Sequence, residues 1–550
     1  MQTIKLFLKA LTKEERGALT IVGVVFALSL VAFSIVVIEE RSMLVPIAGG
    51  AYTEGLIGQP VIINPILSSN QTDKDISALL FSPLFSLLSD WKVSDDGREY
   101  NVKLKEGLVW DDGEPLTSDD ILFTLQTIQD PDARSPLAKD WQSIVAERVS
   151  QLQVKFTLPT PYVFFTENLK RVRIIPKHIF GAIPIENVRL SEYNLEPVGD
   201  GPYKFERYAK RKDGFITEYR LAVNERYAGT RPYIDHFSFM LYANQDELLK
   251  DFRLRRVNGF GSALPLGNEV QSLPRVTMEL VPMPRYYAIF LNAVNNPALK
   301  DARLRDALNR AINKEKLVED VFKGRAAVVN SPLMKQLVTF APQDSLGTST
   351  TPQWDGMATS GVVYDPEGAA RAIAALKTND LKLTLTIPNV PFIEKAAERI
   401  KEDWLAAGIS EVNIDAEDPN TLANDYIKTR NYELLLFGNI YENPADLFPF
   451  WHSSQRFYPG LNLSLYQNLE VDRLIETIRQ KNDPASQEQA LSRLDTLIAN
   501  DDPAVFLFSL PYFYAHASRL AGFAPGVMTA PEDRFDNVEQ WSVAVVRVLK

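Results

Sequence analysis

The sequence predicts an α/β protein of at least two structural units, carried behind one N-terminal transmembrane helix. Three observations lead there. At 550 residues, 45% hydrophobic and 23% charged, the chain has ordinary globular composition but exceeds the ~250–300 residues beyond which a single core stops growing. Strand and helix periods alternate along it, most cleanly over residues 381–387, 393–407 and 412–416, which read as a β-α-β unit of a parallel sheet. Residues 17–38, GALTIVGVVFALSLVAFSIVVI, contain no charge and supply the ~20 apolar residues a helix needs to cross a bilayer core.

In chain order, residues 1–16 form a short basic segment. Its apolar Ile4, Phe7, Leu8 and Leu11 suit either an inner-leaflet contact or a plain solvated tail. The apolar run that follows is longer than the ~7–15-residue core of a secretory signal, and it ends in Ile35-Val36-Val37-Ile38 where a cleavage site needs small residues. It reads as an uncleaved anchor. Lys5, Lys9, Lys13 and Arg16 before it, and Glu39, Glu40 and Arg41 after it, place the N-terminus in the cytoplasm and the body outside, extracellular or periplasmic. Residues 39–51 read as a tether. The chain has no cysteine, which excludes disulfides, thiolate metal sites and a cysteine nucleophile, and leaves no residue for a lipid anchor. Its net charge of −11 argues against nucleic acid as a partner and is otherwise the charge of a soluble surface.

Beyond the tether, Tyr100, Val102 and Leu104 alternate with polar residues as a half-buried strand does. Asp95-Asp96-Gly97 and Asp111-Asp112-Gly113 supply turns. Thr117 is a cap for a helix carrying Ile121, Leu122, Leu125 and Ile128 on one face. Residues 154–158 alternate as another strand. An apolar strand near 286–291 leads to Leu304, Ala307, Leu308, Ala311 and Ile312 at helical spacing, with Gly324 as a stop. Residues 343–361, rich in Ser, Thr, Gly and Pro, read as a surface loop. Residues 434–437 form an apolar strand, and the chain turns away from its end through Gly438-Asn439-Ile440-Tyr441-Glu442-Asn443-Pro444; ligands gather at such strand ends in α/β sheets.

Several of these blocks carry a resemblance. The pattern W-x-V-S-x-D-G-x-x-Y…L-K-x-G-x-x-W-x-D-G-x-P-L-T-S-x-D from Trp91, the stretch from Pro197 to Phe205 (PVGDGPYKF) and D-x-R-x-R-x-A-L-x-x-A-I from Asp301 resemble the signature of the peptide-type solute-binding proteins of ABC importers, solute-binding family 5, with its oligopeptide, dipeptide and nickel-binding group. Asp200 stands where that family usually has Thr. The resemblance runs in order from Tyr52 to about Trp541. It implies a two-lobed periplasmic-binding-protein-like fold with an extra insert domain and a ligand cleft between the lobes. Lobe I would take residues 52–282 and 516–550 and include an insert over 86–196; lobe II would take 283–515. The two chain crossings near 282–285 and 510–516 would form a hinge.

The resemblance also maps a cleft. Its lining would include Tyr52, Glu54, Tyr286, Tyr287, Asn439, Ile440, Tyr441, Glu442, Phe450 and Trp451, although a core role is the better reading for any single aromatic. In oligopeptide and dipeptide binders, an Asp four residues before the proline pairs with the ligand's ammonium group. Here that position is Ile440, so either Glu442 takes over the ammonium or the ligand presents none there. Nothing points to catalysis or a cofactor. The four histidines, His178, His236, His452 and His516, have no zinc-motif spacing, and nucleophile-elbow and phosphate-loop patterns are absent. The expectation is a monomeric, membrane-anchored binding protein, neither enzyme nor metalloprotein. It would capture peptides or peptide-like solutes and deliver them to an ABC permease powered by separate ATPase subunits. The alternative is a surface peptide receptor or chaperone-like binder without a transport role.

Overall fold

The computed structural model describes residues 12–40, 42–334, 363–376 and 381–549. Residues 1–11 of the basic tail and the 343–361 stretch lie outside the described residues. A seven-stranded sheet runs in the spatial order Val276–Val281, Tyr512–Ala517, Gly259–Ser262, Ala51–Ile57, His236–Tyr242, Ile216–Val223, Tyr203–Lys210. Its central strand, Ala51–Ile57, pairs in parallel with both neighbours, and its interior is covered on both faces, so burial is near-continuous rather than alternating. Asn70 caps the helix Gln71–Leu80 by accepting from the Asp73 N–H. Asp73 in turn accepts from the N–H groups of Val61 and Ile62 at 2.7 and 2.9 Å. The helix start therefore also fixes the loop that leaves the central strand.

A four-stranded antiparallel sheet, in the order Leu88–Val93, Glu99–Leu104, Gln153–Thr157, Val145–Ser150, is built as its periodicity predicts. Tyr100, Val102 and Leu104 are buried, Gly97 turns the hairpin at φ 69°, and Thr117 and Asp120 form a reciprocal capping box at the start of Ser118–Gln129. Its apolar side chains join those of the seven-stranded sheet in one continuous core.

A six-stranded sheet makes the other half: Ala327–Val328, Ala504–Ser509, Arg285–Leu291, Leu434–Ile440, Lys382–Pro388, Glu411–Glu417. Lys382–Pro388, the helix Pro391–Ala406 and Glu411–Glu417 form the expected β-α-β unit, with the two strands parallel. Among the described residues the chain passes between the large sheets twice, from Val276–Val281 to Arg285–Leu291 and from Ala504–Ser509 to Tyr512–Ala517. The buried Arg285 of the first passage donates from Nε to the Leu510 carbonyl at 2.7 Å and from Nη2 to the Pro511 carbonyl at 2.5 Å, so one side chain ties the two passages together.

The apolar N-terminal run lies within a 28-residue helix, Lys13–Glu40, whose Leu19, Ile21, Phe26 and Phe33 are exposed. Among the described residues no helix is long and apolar enough to cross a membrane. The stretch read as a tether contains a strand, Ser42–Pro46, paired antiparallel with Val545–Leu549. The β-branched residues Val545, Val546 and Val548 favour that pairing.

Candidate functional site

Strand alternation sorts the candidate residues. Arg285–Leu291 and Leu434–Ile440 pair antiparallel, with Arg285 opposite Ile440, Tyr286 opposite Asn439 and Tyr287 opposite Gly438. Directly opposed residues share a face. Tyr286 and Asn439 therefore point together into the second lobe, where Asn439 Nδ2 donates to the Tyr286 hydroxyl at 3.0 Å. Tyr441, Phe450 and Trp451 pack around them, with Tyr286 and Tyr441 at 5.5 Å and Tyr441 and Phe450 at 4.9 Å between ring centroids. All five side chains are buried. Burial pushes the Tyr286 hydroxyl up to about 12, so it stays protonated. Among the described residues the Tyr441 hydroxyl and Trp451 Nε1 find no hydrogen-bond partner.

Tyr287 and Ile440 lie on the other face, the one that also carries Arg285 at the first chain passage. The Tyr441 N–H donates to the Pro284 carbonyl at 2.7 Å, which holds the end of this strand against the first chain passage. Ile440 is 46% exposed there. The half-buried Tyr287 stacks on Phe508 at 5.0 Å and meets Phe392 edge-on at 5.6 Å. Gly438 makes that ring position possible, because a Cβ on it would lie 2.8 Å from Tyr287 Cε1.

Tyr52 and Glu54 sit in the first lobe, fully buried in its central strand. Glu54 accepts from the Tyr514 hydroxyl at 2.8 Å and from Arg534 Nε at 3.1 Å. The same guanidinium grips Asp75 with Nη1 and Nη2 at 2.9 and 2.8 Å, and the Tyr52 and Tyr514 hydroxyls touch at 2.8 Å. A Cβ on Gly259 would strike the Tyr52 hydroxyl, and one on Gly261 would strike that of Tyr512; the two glycines make room for this network. Burial raises both carboxyls, Glu54 and Asp75, against the pull of Arg534. Burial opposes the charge of Arg534, but Asp75, Tyr512 and Glu54 outweigh it and hold its proton more tightly than usual. Sequence reading missed Asp75, Tyr514 and Arg534, whose only signal is spatial: they meet Glu54 from distant parts of the chain.

Glu442 faces neither group. Its Oε2 pairs with Arg171 Nη1 of the four-stranded unit at 2.5 Å. Nearby, the Tyr162 hydroxyl donates to Asp446 Oδ2 at 3.0 Å, the Val163 N–H donates to the Arg479 carbonyl at 2.9 Å, and the Arg479 guanidinium lies 4.3 Å from the Phe448 ring centroid and 4.8 Å from that of Tyr162. Burial raises the Asp446 carboxyl, while Arg479, the Phe448 N–H and Tyr162 pull it back. His452 stacks on Phe448 at 4.4 Å, and its Nδ1 shares a 2.8 Å hydrogen bond with the Ser454 hydroxyl. Among the described residues no group of His, Asp and Glu side chains is placed to hold a metal ion.

Comparison with known proteins agrees with this architecture. Residues 85–458 match the family described as bacterial extracellular solute-binding proteins, family 5 Middle. The oligopeptide-binding protein AppA of Bacillus subtilis is 24% identical over 523 residues, spanning 91% of this chain and 92% of the relative. Among solved structures, the ABC transporter substrate-binding protein CtaP of Listeria monocytogenes superposes with a TM-score of 0.77 at 25% identity, covering 90% of this chain and all of that one. Bacillus subtilis AppA in complex with a nonapeptide superposes with a TM-score of 0.67 at 24% identity, covering 91% of this chain and 100% of that one.

Proposed function

We propose that this chain, which belongs to the bacterial extracellular solute-binding proteins of family 5, captures a peptide or peptide-like solute between its lobes and delivers it to the permease of an ABC importer. The family supplies binding components of transporters, not enzymes. The observation that carries the reading is the seam itself. Among the described residues, two lobes with separate cores are joined by two chain passages. That arrangement lets one lobe close on the other by hinge motion. The nonapeptide held by the AppA relative supports a peptide as the solute. The exposed Ile440 and the half-buried Tyr287 offer an apolar and aromatic wall suited to side chains of varied sequence.

The anchor belongs to the same proposal. The helix Lys13–Glu40, with its uncharged run and preceding lysines, would hold a monomeric body outside the membrane, raising its effective concentration near the permease. Native mass spectrometry of the full chain released from detergent micelles is expected to show adducts that fragment as peptides. The reading is overturned if no adduct appears and a peptide library offered in excess is not retained; cleavage of that library would make the protein an enzyme. Alkaline carbonate washing of membranes is expected to leave the chain in the pellet, and its release would remove the anchor.

A further inference from the structure

We infer that Tyr162 and Arg171 on one side, and Glu442, Asp446 and Arg479 on the other, form a clasp that holds the lobes closed, and that Glu442 acts in it as a positioning residue. The inference rests on reading the space between the lobes as the binding cleft. The four-stranded unit that carries Tyr162 and Arg171 shares its core with the first lobe. It therefore moves with that lobe, while Glu442, Asp446 and Arg479 belong to the second. The segment from Tyr162 to Phe164 leaves its own unit and packs into the second lobe's core, where Phe164 is 8% exposed. Three polar bridges surround this apolar tongue: Tyr162 hydroxyl to Asp446, Val163 N–H to the Arg479 carbonyl, and Arg171 to Glu442.

Arg171 faces Glu442 across this contact, while Asp140, on the first lobe's side, is attracted by Arg171 but repelled by Glu442 and Asp446, so Arg171 is the cation that offsets the carboxylates gathered there. Arg479, paired with Asp446 at 3.4 Å, lies between Phe448 and Tyr162 and so cements the tongue from the second lobe. A glutamate in place of Arg171 would set like charges face to face across this contact. Glu442 spends its charge on Arg171, leaving Ile440 and Tyr287 on the face that also carries Arg285.

The test uses the full chain in detergent micelles. The protein has no cysteine, so Leu190→Cys on the first lobe's insert and Leu469→Cys on the second lobe, 81% and 67% exposed, provide a unique spin-label pair for pulsed electron–electron distance measurement. Arg171→Glu and Glu442→Arg are each expected to raise the long-distance, open population about two- to fivefold. The charge-swapped double variant is expected to restore the short distance, and Arg171→Lys to retain it. Tyr162→Phe, which removes one bridge and no charge, is expected to open the lobes less than either reversal. A charge swap as open as the single reversals, or reversals with the distribution of the unmodified pair, would overturn the clasp. If the distances respond as expected and no solute is ever found, the clasp stands and the proposed function fails.

Discussion

Asp200 offers the sharpest energetic test. It lies in the turn between Gly199 and Gly201, 4% exposed. One carboxylate oxygen accepts from the Ser82 N–H at 3.0 Å; the other, Oδ2, has no partner among the described residues. Burial pushes its carboxyl from 3.8 up to about 7, against the weaker opposing pull of Ser82 and Arg173. A carboxyl whose folded value exceeds its unfolded value keeps its proton longer in the folded state. Its contribution is therefore fully present below about pH 4 and is lost as pH rises through about 7. A displacement of roughly 3 pH units at about 1.4 kcal/mol each sets an upper bound of about 4 kcal/mol on the cost of ionising Asp200 in place. Asn keeps the acceptor for Ser82 and cannot ionise. Asp200→Asn should match the parent chain below about pH 4, begin to exceed it by pH 5, and exceed it by about 2–4 kcal/mol at pH 8, read from urea unfolding by tryptophan fluorescence. Asp536, also raised to about 7 by burial and by Asp533, should leave the variant a residual decline over the same window. Equal pH slopes for the two proteins would refute the reasoning.

Other expectations follow from the same contacts. Arg534→Met removes the cation between Glu54 and Asp75 and should cost about 3–5 kcal/mol at neutral pH, with the loss shrinking in acid as both carboxyls take protons; a pH-independent loss would count against an electrostatic origin. Gly438→Ala should cost about 1–3 kcal/mol in thermal unfolding by driving the Tyr287 ring off Phe508, and the cost should fall in a Tyr287→Ala background. Gly199→Ala, whose Cβ would collide with the Leu80 carbonyl oxygen, should abolish recovery of soluble full-length chain, and normal yield with an unchanged melting temperature would contradict the close packing seen there.

What the sequence reveals is what neighbours in the chain decide. The hairpin around Gly97 and the Thr117 cap depend on residues within a turn or two of each other and appear as read; the helix carrying Leu304, Ala307 and Leu308 forms but ends at Arg310, short of Ile312, and Gly324 follows a second helix, Lys314–Phe322. The crossings near 282 and 510 rested on the family resemblance, not on any local pattern. Side-chain destinations were harder. Tyr286, Tyr441 and Trp451 read as cleft aromatics by position along the motif, but a period of two along the paired strands sends Tyr286 and Asn439 inward and leaves Ile440 outside. The Glu54–Arg534–Asp75 network and the Arg171–Glu442 pair join residues hundreds of positions apart, and no local pattern records such a meeting.

The pairing of Ser42–Pro46 with Val545–Leu549 also has a mechanical consequence. Under the proposed anchoring, any tug on the body reaches the bilayer through that two-stranded zipper. The lever arm between membrane and body is then short, and the protein presents a restricted set of orientations to whatever lies beside it. Peeling away the C-terminal strand would free Ser42–Pro46 as slack of about 3.3–3.6 Å per residue, turning a stiff mount into a leash.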